Sequence, residues 1–521
     1  MENNRRKNRE KIAETKHTIY LQIFWCVCIF SVIFVNSVFS QETKKIEILN
    51  ADELVFQHTH GENIKRLIGH VRFKHENAIM TCDSAFFYGQ RNSIDAFGNV
   101  HINQEDSVEL FSDFLRYDGM KKIAYTRKNI KLQHAKAILL TDSLDFDRNT
   151  NIAKYYTKGI IYNGEDTLIS DFGYYYSDNK NFYPVKNVIV KNPEFTMYTD
   201  SLRYHIKTDK VFFLLPTVII ADSSELFCES GWYDIQKDIG NFVKNAYLKN
   251  KNHELYGDTL FYNKHLGIGE AFRSVRMVDT TNNITISGNY GKYFENSDSG
   301  FVTQKALFIQ AENKDSLFLH ADTLMTIPDS SKEHKIIIAY HHVKYYRTDL
   351  QGKCDSLSYT RSDSIIRMYH NPVIWSNDYQ LTAGFIEIFT SKNGVKKIQL
   401  HNTGLIIQQQ DTDKFDQIKG KKIIAHFKNN EIYQVNVYGN AQSIYYPKDD
   451  STFIGMNNAY SKNMVIRLKN RKVQTVTFIN APEGTLFPLK QTNKSNNTLP
   501  GFQWLNALRP YNKNEIFIWK K

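Results

Sequence analysis

The chain has 521 residues, of which 23% are charged, and a net charge of +11 at neutral pH. This basic excess suits anionic partners, but the sequence contains no block of five or six like charges, so nucleic acid is not expected as a ligand. Only five cysteines occur, and no Cys/His cluster has metal-ligand spacing, so we expect neither a disulfide framework nor a metal or other cofactor.

The first 40 residues have the pattern of an export signal. Basic residues crowd the first eighteen positions, and the uncharged run 19–40 follows them. This arrangement favours a signal peptide cleaved after Ser40, although the run is long enough to remain as a membrane anchor. We therefore expect residues 41–521 to be exported into a water-filled compartment.

A short phrase recurs about every thirty residues after the signal. It consists of an Asp, a small or hydroxyl residue, Leu, any residue and an aromatic. Clear copies begin at Asp52, Asp83, Asp113, Asp142, Asp200, Asp258 and Asp355, and weaker copies begin at Asp171, Ser230, Gly288, Asp322 and Ala383. Such a steady period indicates one stacked architecture and not a string of unrelated domains.

A second element lies between successive phrases: a turn-like residue pair followed by alternating apolar residues, as in Gly69-His-Val71-Arg-Phe73. Both elements alternate with period two and are rich in β-branched and aromatic residues, which is typical of strands with one buried face. The sequence therefore predicts two or three short strands per repeat, joined by hairpins into antiparallel sheets that share an apolar interior.

The repeat pattern also predicts where the Asp and the cysteines lie. The Asp shares the alternation of the Leu and the aromatic, so we expect it at the mouth of a strand, bonding N–H groups of a turn. Cys82, Cys228 and Cys354 lie near the start of a phrase, where other repeats have Thr, Ser or Gly. They are predicted to be small buried thiols.

The repeat fades from about residue 448, which divides the exported chain into a repeat region, 41–447, and a C-terminal segment, 448–521. The segment ends with aromatic residues that include Trp504 and Trp519. We expect these side chains to plug the last open edge of the sheet as a cap, with a docking role for the tail as the alternative.

The order of these elements resembles the OstA/LptA family, periplasmic proteins of lipopolysaccharide export. In the best window, 51–117, the stretch Asp95-Ala-Phe-Gly98-Asn-Val100-His-Ile102 links two Asp phrases in the family's manner. The resemblance extends over about residues 46–446, although this chain is several times longer than the short bridging members. It implies an all-β fold, an elongated antiparallel β-jellyroll built from repeats of about thirty residues.

The resemblance also implies a function. The chain would be a non-enzymatic periplasmic conduit that carries lipopolysaccharide or lipid A from the inner to the outer membrane. Its partners would be the inner-membrane export complex and the outer-membrane translocon of the same pathway. The acyl chains would lie in an apolar groove.

Candidate groove residues are the Leu and aromatic of each phrase and the apolar residues of the companion strands. These are Leu54, Phe56, Val71, Phe73, Val100, Ile102, Leu115, Tyr117, Leu144, Phe146, Val188, Val190, Leu202, Tyr204, Leu260, Tyr262, Leu357 and Tyr359. The same side chains can instead pack against each other as a closed core, and the sequence does not separate these two arrangements.

Two other functional classes share the repeats and the export signal: a structural or adhesive rod without lipid, and a polysaccharide-acting β-helix enzyme. No HExxH, GxSxG, P-loop or GxGxxG motif occurs in a supporting context. The pair His341-His342, and His58 with His60, fit strand alternation better than metal ligation. The enzyme is less favoured because β-helix coils usually have shorter periods. Bound lipid or an open apolar groove would separate the conduit from the rod.

Overall fold

The structure is a computed structural model that describes residues 45–520, except for 60–61, 105–107, 135, 222, 312–314, 332–333, 361, 392–393, 429–430, 471 and 494–495. The expected signal peptide and His60 lie outside the described residues. Four short 3-10 helices occur within these ranges, at Gly89–Arg91, Leu489–Gln491, Asn506–Leu508 and Glu515–Phe517. No helix in the described ranges has the length and apolar character needed to cross a membrane.

The chain divides into two compact units. The first contains the described residues before Lys136 together with Asp145–Asn149, and the second contains Lys136–Leu144 and the chain from Thr150 onward. The pairings between strands of each unit are antiparallel. Hairpins connect many of the successive strands, as the short polar junctions in the sequence predict.

The strands of the first unit run along the chain in order. They are β1 Glu47–Asn50, β2 Glu53–Thr59, β3 Glu62–His75, β4 Ala78–Tyr88, β5 Ser93–Gln104, β6 Val108–Asp118 and β7 Ile123–His134. Strand β8, Ala137–Asp147, follows them. Strand β3 pairs with β4 along its length and with both β1 and β2 on its other edge.

The second unit continues the same plan over many more strands. They are β9 Ile152–Tyr155, β10 Gly159–Asn163, β11 Asp166–Ser170, β12 Phe172–Tyr176, β13 Asn181–Lys191, β14 Thr196–His205, β15 Lys210–Phe213, β16 Thr217–Ala221, β17 Ser224–Cys228, β18 Ser230–Asp234, β19 Ile239–Lys249, β20 His253–Asn263, β21 Ile268–Asp279, β22 Ile284–Phe294, β23 Ser299–Ala311, β24 Ser316–Pro328, β25 Lys335–Arg347, β26 Leu350–Thr360, β27 Ile365–Tyr369, β28 Val373–Ser376, β29 Tyr379–Thr382, β30 Phe385–Ser391, β31 Gly394–Gln409, β32 Phe415–Lys428, β33 Glu431–Tyr445, β34 Lys448–Asp449, β35 Thr452–Phe453, β36 Met456–Lys469, β37 Lys472–Ile479 and β38 Glu483–Phe487.

The long strands bend in their middle, and in every second one two consecutive residues adopt left-handed backbone conformations at the bend. Gly69 and His70 have φ angles of 73° and 42°, and Lys186 and Asn187 have φ angles of 66° and 52°. At each site the pairing register shifts, so two residues oppose one on the neighbouring strand. Such a β-bulge bends the strand. The turn-like pairs predicted to separate strands therefore lie inside them.

The Asp of each phrase faces this bulge and not the mouth of a strand. The side-chain amides of Asn99, Asn129 and Asn187 donate to the carboxylates of Asp83, Asp113 and Asp171 at 2.9, 2.7 and 2.8 Å. The predicted bonds to turn N–H groups are thus wrong. The carboxylate instead ties down the second bulge residue, which offsets the cost of about 1–2 kcal/mol that a left-handed L-residue carries.

The bend also explains how the Asp can be exposed although it shares the period-two alternation of the buried Leu and aromatic. Cys82 and Ala85 are both buried, whereas Asp83 between them is exposed. The alternation is therefore reset at the bend, which leaves the Asp outside and the Leu and aromatic inside. By the same criterion the weak repeats bend at Glu229, Asn289 and Gly384. The first lies one residue before the start that the sequence suggested at Ser230, and the other two lie one residue after the suggested starts at Gly288 and Ala383.

The residues beside the bend form a fully buried row, which we call the corner row. After each bulge pair stands one side chain at most 1% exposed: Val71, Val100, Ile130, Val188, Ala246, Val275, Ala306 and Val343. Small buried residues oppose them, among them Cys82, Ser112, Cys228 and Cys354. The three cysteines are free and buried, which confirms their prediction.

The two halves of each bent strand belong to two arms of the sheet that pack on each other. We call first arm the halves that contain Phe73 and Met80, and second arm the halves that contain Leu67 and Ala85. All four side chains belong to one buried cluster, and the rings of Phe73 and Phe87 lie 6.2 Å apart across it. The predicted antiparallel β-jellyroll built from repeats of about thirty residues is confirmed.

Candidate functional site

An unbroken line of apolar side chains runs along the inner side of the first arm in the second unit. Each member is the cross-strand partner of the next. This first-arm row is Ile161, Leu168, Val190, Met197, Ile219, Leu226, Leu248, Leu255, Met277, Ile286 and Phe308. Most members are half-buried, and Leu248 and Met277 are each 39% exposed. The row is therefore a continuous apolar surface that the core only partly covers.

The second arm carries an inner row of different composition, at the same distance from the core as the first-arm row. Over β12–β23 every second residue of the outermost inner row is a tyrosine, and the residues between them are one phenylalanine, one valine and three glycines. This tyrosine row is Tyr175, Phe182, Tyr204, Val211, Tyr233, Gly240, Tyr262, Gly269, Tyr293 and Gly300. Tyr262 and Tyr293 are 38% and 40% exposed. Residues of both rows border the same buried cluster, which includes Leu202 and Phe213.

Carboxylates at the hairpin turns hold the hydroxyl ends of the tyrosines. The hydroxyls of Tyr204, Tyr233 and Tyr293 donate to the Asp five residues later, at 2.5, 2.6 and 2.9 Å. Burial, followed by this bond, raises the pKa of Tyr293 to about 12, so the hydroxyl stays a donor at neutral pH. Each ring therefore presents an apolar body to the interior and a tethered polar tip to water.

The same row changes character in β24–β36. Its members there are Thr326, Ile337, Tyr359, Ile366, Ile388, Ile398, Ala425, Val435 and Ile466. The last five are at most 4% exposed and belong to the large buried cluster of this unit. We call β12–β23 the tyrosine section and β24–β36 the aliphatic section. Only the tyrosine section combines two partly exposed inner rows among the described residues of this unit.

Comparison with known proteins identifies the family of this chain. A family model described as OstA-like protein matches residues 43–200 and 217–317.

The chain belongs to the OstA-like family.

Two solved structures are also similar, but their TM-scores are too low to indicate a shared fold. One is LptH of Pseudomonas aeruginosa, described as the LptA homologous periplasmic component of the lipopolysaccharide transport device. The identity is 13%, the match covers 27% of this chain and 95% of LptH, and the TM-score is 0.21. The other is the WD40 domain of SCAP from fission yeast, with 9% identity, 87% and 97% coverage and a TM-score of 0.11. No curated protein matches the chain.

The sequence-predicted groove residues of this OstA-like chain lie on the inner rows or at an edge. Val71, Val100 and Val188 are in the corner row, and Phe73, Ile102 and Val190 occupy the first-arm position. Leu115, Leu144, Leu202, Leu260 and Leu357 are buried in the second arm, with Tyr117, Phe146, Tyr204, Tyr262 and Tyr359 further out. Leu54 and Phe56 are exposed on edge strand β2. Contact of any of them with lipid stays a prediction.

Sequence reasoning missed several residues of the two rows. Leu248, Leu255 and Met277 lie outside both recurring elements, and Tyr233 belongs to a copy of the phrase that was registered one residue late. A signal for the tyrosines does exist in the sequence, because Tyr204, Tyr233 and Tyr293 are each followed five residues later by Asp. This spacing places the carboxylate in the hairpin turn next to the ring.

The C-terminal tail, residues 488–520, covers the outer face of the aliphatic section. Gln417 donates to the carbonyl of Asn497 at 2.9 Å and accepts from the N–H of Leu499 at 2.8 Å. Gln380 repeats this arrangement with Gln503 and Leu505, at 2.7 Å for both bonds. Each buried amide thus binds the backbone of residues i and i+2, as a neighbouring strand would.

The aromatic residues of the tail pack along this outer face. Phe415 contacts Trp504 with ring centroids 5.2 Å apart, and His342 contacts Trp519 at 4.7 Å. Buried Lys344 donates to the carbonyl of Ile518 at 2.6 Å. Trp504 and Trp519 therefore lie on the outer side of the sheet, whereas the expectation was a plug at its last open edge.

The histidines that the sequence raised as metal candidates have structural roles. His341 and His342 are a bulge pair with φ angles of 58° and 54°, and they contact Asp355 and Asp322 at 3.1 and 2.7 Å. Simple strand alternation was thus the wrong description of this pair. In the described ranges, no group of three or more His, Cys, Asp or Glu side chains could hold a metal ion.

Proposed function

We propose that this OstA-like chain is a non-enzymatic periplasmic carrier of lipopolysaccharide or lipid A, which it moves from the inner toward the outer membrane. Acyl chains would lie against the first-arm row, and the polar part of the lipid would stay in water. The observation that carries the proposal is the continuity of this row. Each apolar residue is the cross-strand partner of the next, so an acyl chain of the lipid meets a similar surface at each position.

The energetics suit transport without a chemical step. Each CH₂ group removed from water contributes about 0.8 kcal/mol, so several acyl chains need a long apolar surface. A row that repeats every strand, about 4.8 Å, offers many nearly equal binding positions. Movement along it then needs no large energetic step, and supply of lipid from one end can drive it.

Edge strands offer sites for the proposed membrane partners. In the described part of the first unit, β2 pairs with β3 alone, and its residues Leu54 and Phe56 are 46% and 70% exposed. In the second unit, β37 and β38 pair with β36 and expose Val476 and Leu486. An unpaired strand edge can bind another protein by adding a strand. We assign these edges to the inner-membrane export complex and the outer-membrane translocon.

The test is mass spectrometry of lipid that copurifies with the protein from a Gram-negative periplasm, with one inner-face variant and one matched control. Leu248→Asp places a charge on the first-arm row. Ile220→Asp places the same charge on the outer face, at a residue that is 43% exposed and stands beside inner-facing Ile219.

We expect stoichiometric lipopolysaccharide or lipid A with the wild-type protein and with Ile220→Asp, and its loss with Leu248→Asp. Circular dichroism would confirm that both variants remain folded. A stable wild-type protein that copurifies without lipid and does not bind added lipopolysaccharide would contradict the proposal and favour a structural rod.

A further inference from the structure

An open gap lies between two rings of the tyrosine row, at Gly269. Gly269 is the cross-strand partner of both Tyr262 and Tyr293. Alternate strands are about 10 Å apart, so the two rings flank the glycine at about that separation. A Cβ atom built at Gly269 would meet no atom within 4 Å. The backbone there forms a bare floor between two partly exposed rings.

The neighbouring glycine of the same row shows that this gap is not a general feature. A Cβ atom at Gly240 would lie 2.8 Å from the ring of Phe242 and 3.1 Å from that of Tyr233. Aromatic rings therefore already fill the space above Gly240, which is the usual way a strand compensates for a glycine. At Gly269 the rings on both sides leave the space empty.

Polar groups that suit hydroxyl ligands border the gap. The hydroxyl of Tyr262 contacts Glu295 at 3.3 Å, and that of Tyr293 contacts Asp298 at 2.9 Å. Lys335 forms an ion pair with Asp298 at 2.6 Å, so the charge of this lysine is already neutralised. Two carboxylates and one paired lysine do not favour a phosphate. They favour a neutral ligand whose hydroxyls donate to carboxylates.

We propose that the gap at Gly269 is a saccharide subsite, in which Tyr262 and Tyr293 flank a sugar ring of the lipid headgroup while the acyl chains lie on the first-arm row. This inference rests on the proposed function. Tyrosine rings are favoured where one end of a site is apolar and the other is wet, as at membrane interfaces. The tyrosine row therefore marks the level at which a bound lipid passes from acyl chain to sugar.

Two ligands and two variants of the full chain test the subsite. Gly269→Leu fills the gap, and Gly269→Ser, which leaves most of it open, is the control. Lipid A carries saccharide and acyl chains, whereas laurate carries an acyl chain alone. Because an aromatic contact contributes about 0.5–1.5 kcal/mol, we expect Gly269→Leu to weaken binding of lipid A about two- to tenfold, with laurate binding unchanged and Gly269→Ser near wild type.

The outcomes separate this inference from the proposed function. Lipid A affinity unchanged in Gly269→Leu, or equal losses for lipid A and laurate in a folded variant, would overturn the saccharide subsite. Failure of the wild-type protein to bind either ligand would overturn both proposals.

A second measurement does not depend on the folding of the leucine variant. A benzophenone amino acid at Tyr262 or at Met277 is photocrosslinked to bound lipid A, and the linked atoms are located by mass spectrometry. We expect the sugar or its ester linkages to be labelled from Tyr262 and acyl methylenes from Met277. The same labelling pattern from both positions would contradict the inference.

Discussion

The tyrosine section and the aliphatic section share one scaffold and differ in one row of side chains. Both have bent antiparallel strands, left-handed bulge pairs and a corner row of at most 1% exposure, as Val275 and Val343 illustrate. In one section every second residue of the outermost inner row is a tyrosine and three of the others are glycines, whereas in the other section this row is mostly aliphatic. The scaffold is thus set by the bend, whereas the exposure of the interior is set by the residues farthest from it.

The outer face differs between the two sections as well. In the aliphatic section the tail covers Gln380 and Gln417, so side chains on both faces of the sheet are buried there. Ile406 faces the inner cluster while its neighbours Leu405 and Ile407 pack under the tail. Burial on both faces stabilises this section as a closed core. The tyrosine section keeps partly exposed apolar surface on its inner side.

The largest expected effect is the difference in stability loss between two leucine-to-alanine substitutions, one in each section. Leu400→Ala removes a fully buried side chain from the aliphatic section and should lower the free energy of unfolding by about 2–5 kcal/mol. Leu248→Ala removes a side chain that is 39% exposed and should cost about 1 kcal/mol or less. Urea unfolding of both variants measures the difference. Equal losses would show that the first-arm row is as closed as the core.

A smaller effect compares two bends, one with a carboxylate partner and one without. Asn187 bonds to Asp171, whereas Asn440, also exposed at φ 51°, faces Lys462 across its bend. Alanine at either site should cost about 1–2 kcal/mol for the left-handed backbone. Asn187→Ala should cost about 1 kcal/mol more because it also loses the hydrogen bond. Thermal unfolding checks this. Asn187→Gly is the control that loses the hydrogen bond without the strain, because glycine adopts the left-handed backbone freely.

The attachment of the tail should depend on pH through Lys344. Burial lowers the pKa of this amine from its ordinary value to about 8. The docked tail therefore binds fewer protons than the detached tail between pH 8 and the ordinary lysine pKa, so docking should strengthen as the pH rises through this window. A spin label near Trp519 would report less mobility at pH 9 than at pH 7. Lys344→Met should remove the pH dependence, and a wild-type tail that loosens at pH 9 would refute it.

The smallest expected difference between the sections is in the reactivity of their buried thiols. Cys228 of the tyrosine section and Cys354 of the aliphatic section both lie beside the bend and are at most 1% exposed. Burial raises the pKa of the Cys228 thiol to about 12 and that of Cys354 still further. Both should resist a thiol reagent at pH 8 until the chain unfolds. Faster labelling of Cys228 in the folded protein would mean that the tyrosine section also opens at its bend.

Much of the fold could be predicted because the repeat and the period-two alternation are local in sequence. They indicated antiparallel strands and an apolar interior, and the family resemblance supplied the jellyroll. The bend was not predicted, since a pair such as Lys186 and Asn187 looks like a turn between strands when only the sequence is read. Its place within a strand depends on a carboxylate sixteen residues earlier.

The two partly exposed rows and the tail were less accessible to sequence reasoning. Whether Leu248 or Leu400 is exposed depends on how closely the two arms approach, and both residues look alike in an alternating pattern. The position of the tail rests on contacts such as that between Lys344 and Ile518, which are 174 residues apart. No local pattern indicates which face of the sheet such a segment covers.

The paired amides of Gln380 and Gln417 have a consequence for how this chain can vary. Each glutamine binds only main-chain atoms of the tail, so most substitutions at Gln503 or Asn497 leave both bonds in place. Proline at Leu505 is an exception because it has no N–H to donate. A change at either glutamine, in contrast, removes two bonds at once. Over evolutionary time Asn497 and Gln503 are therefore free to drift in sequence, while the two glutamines that bind their main chain are not.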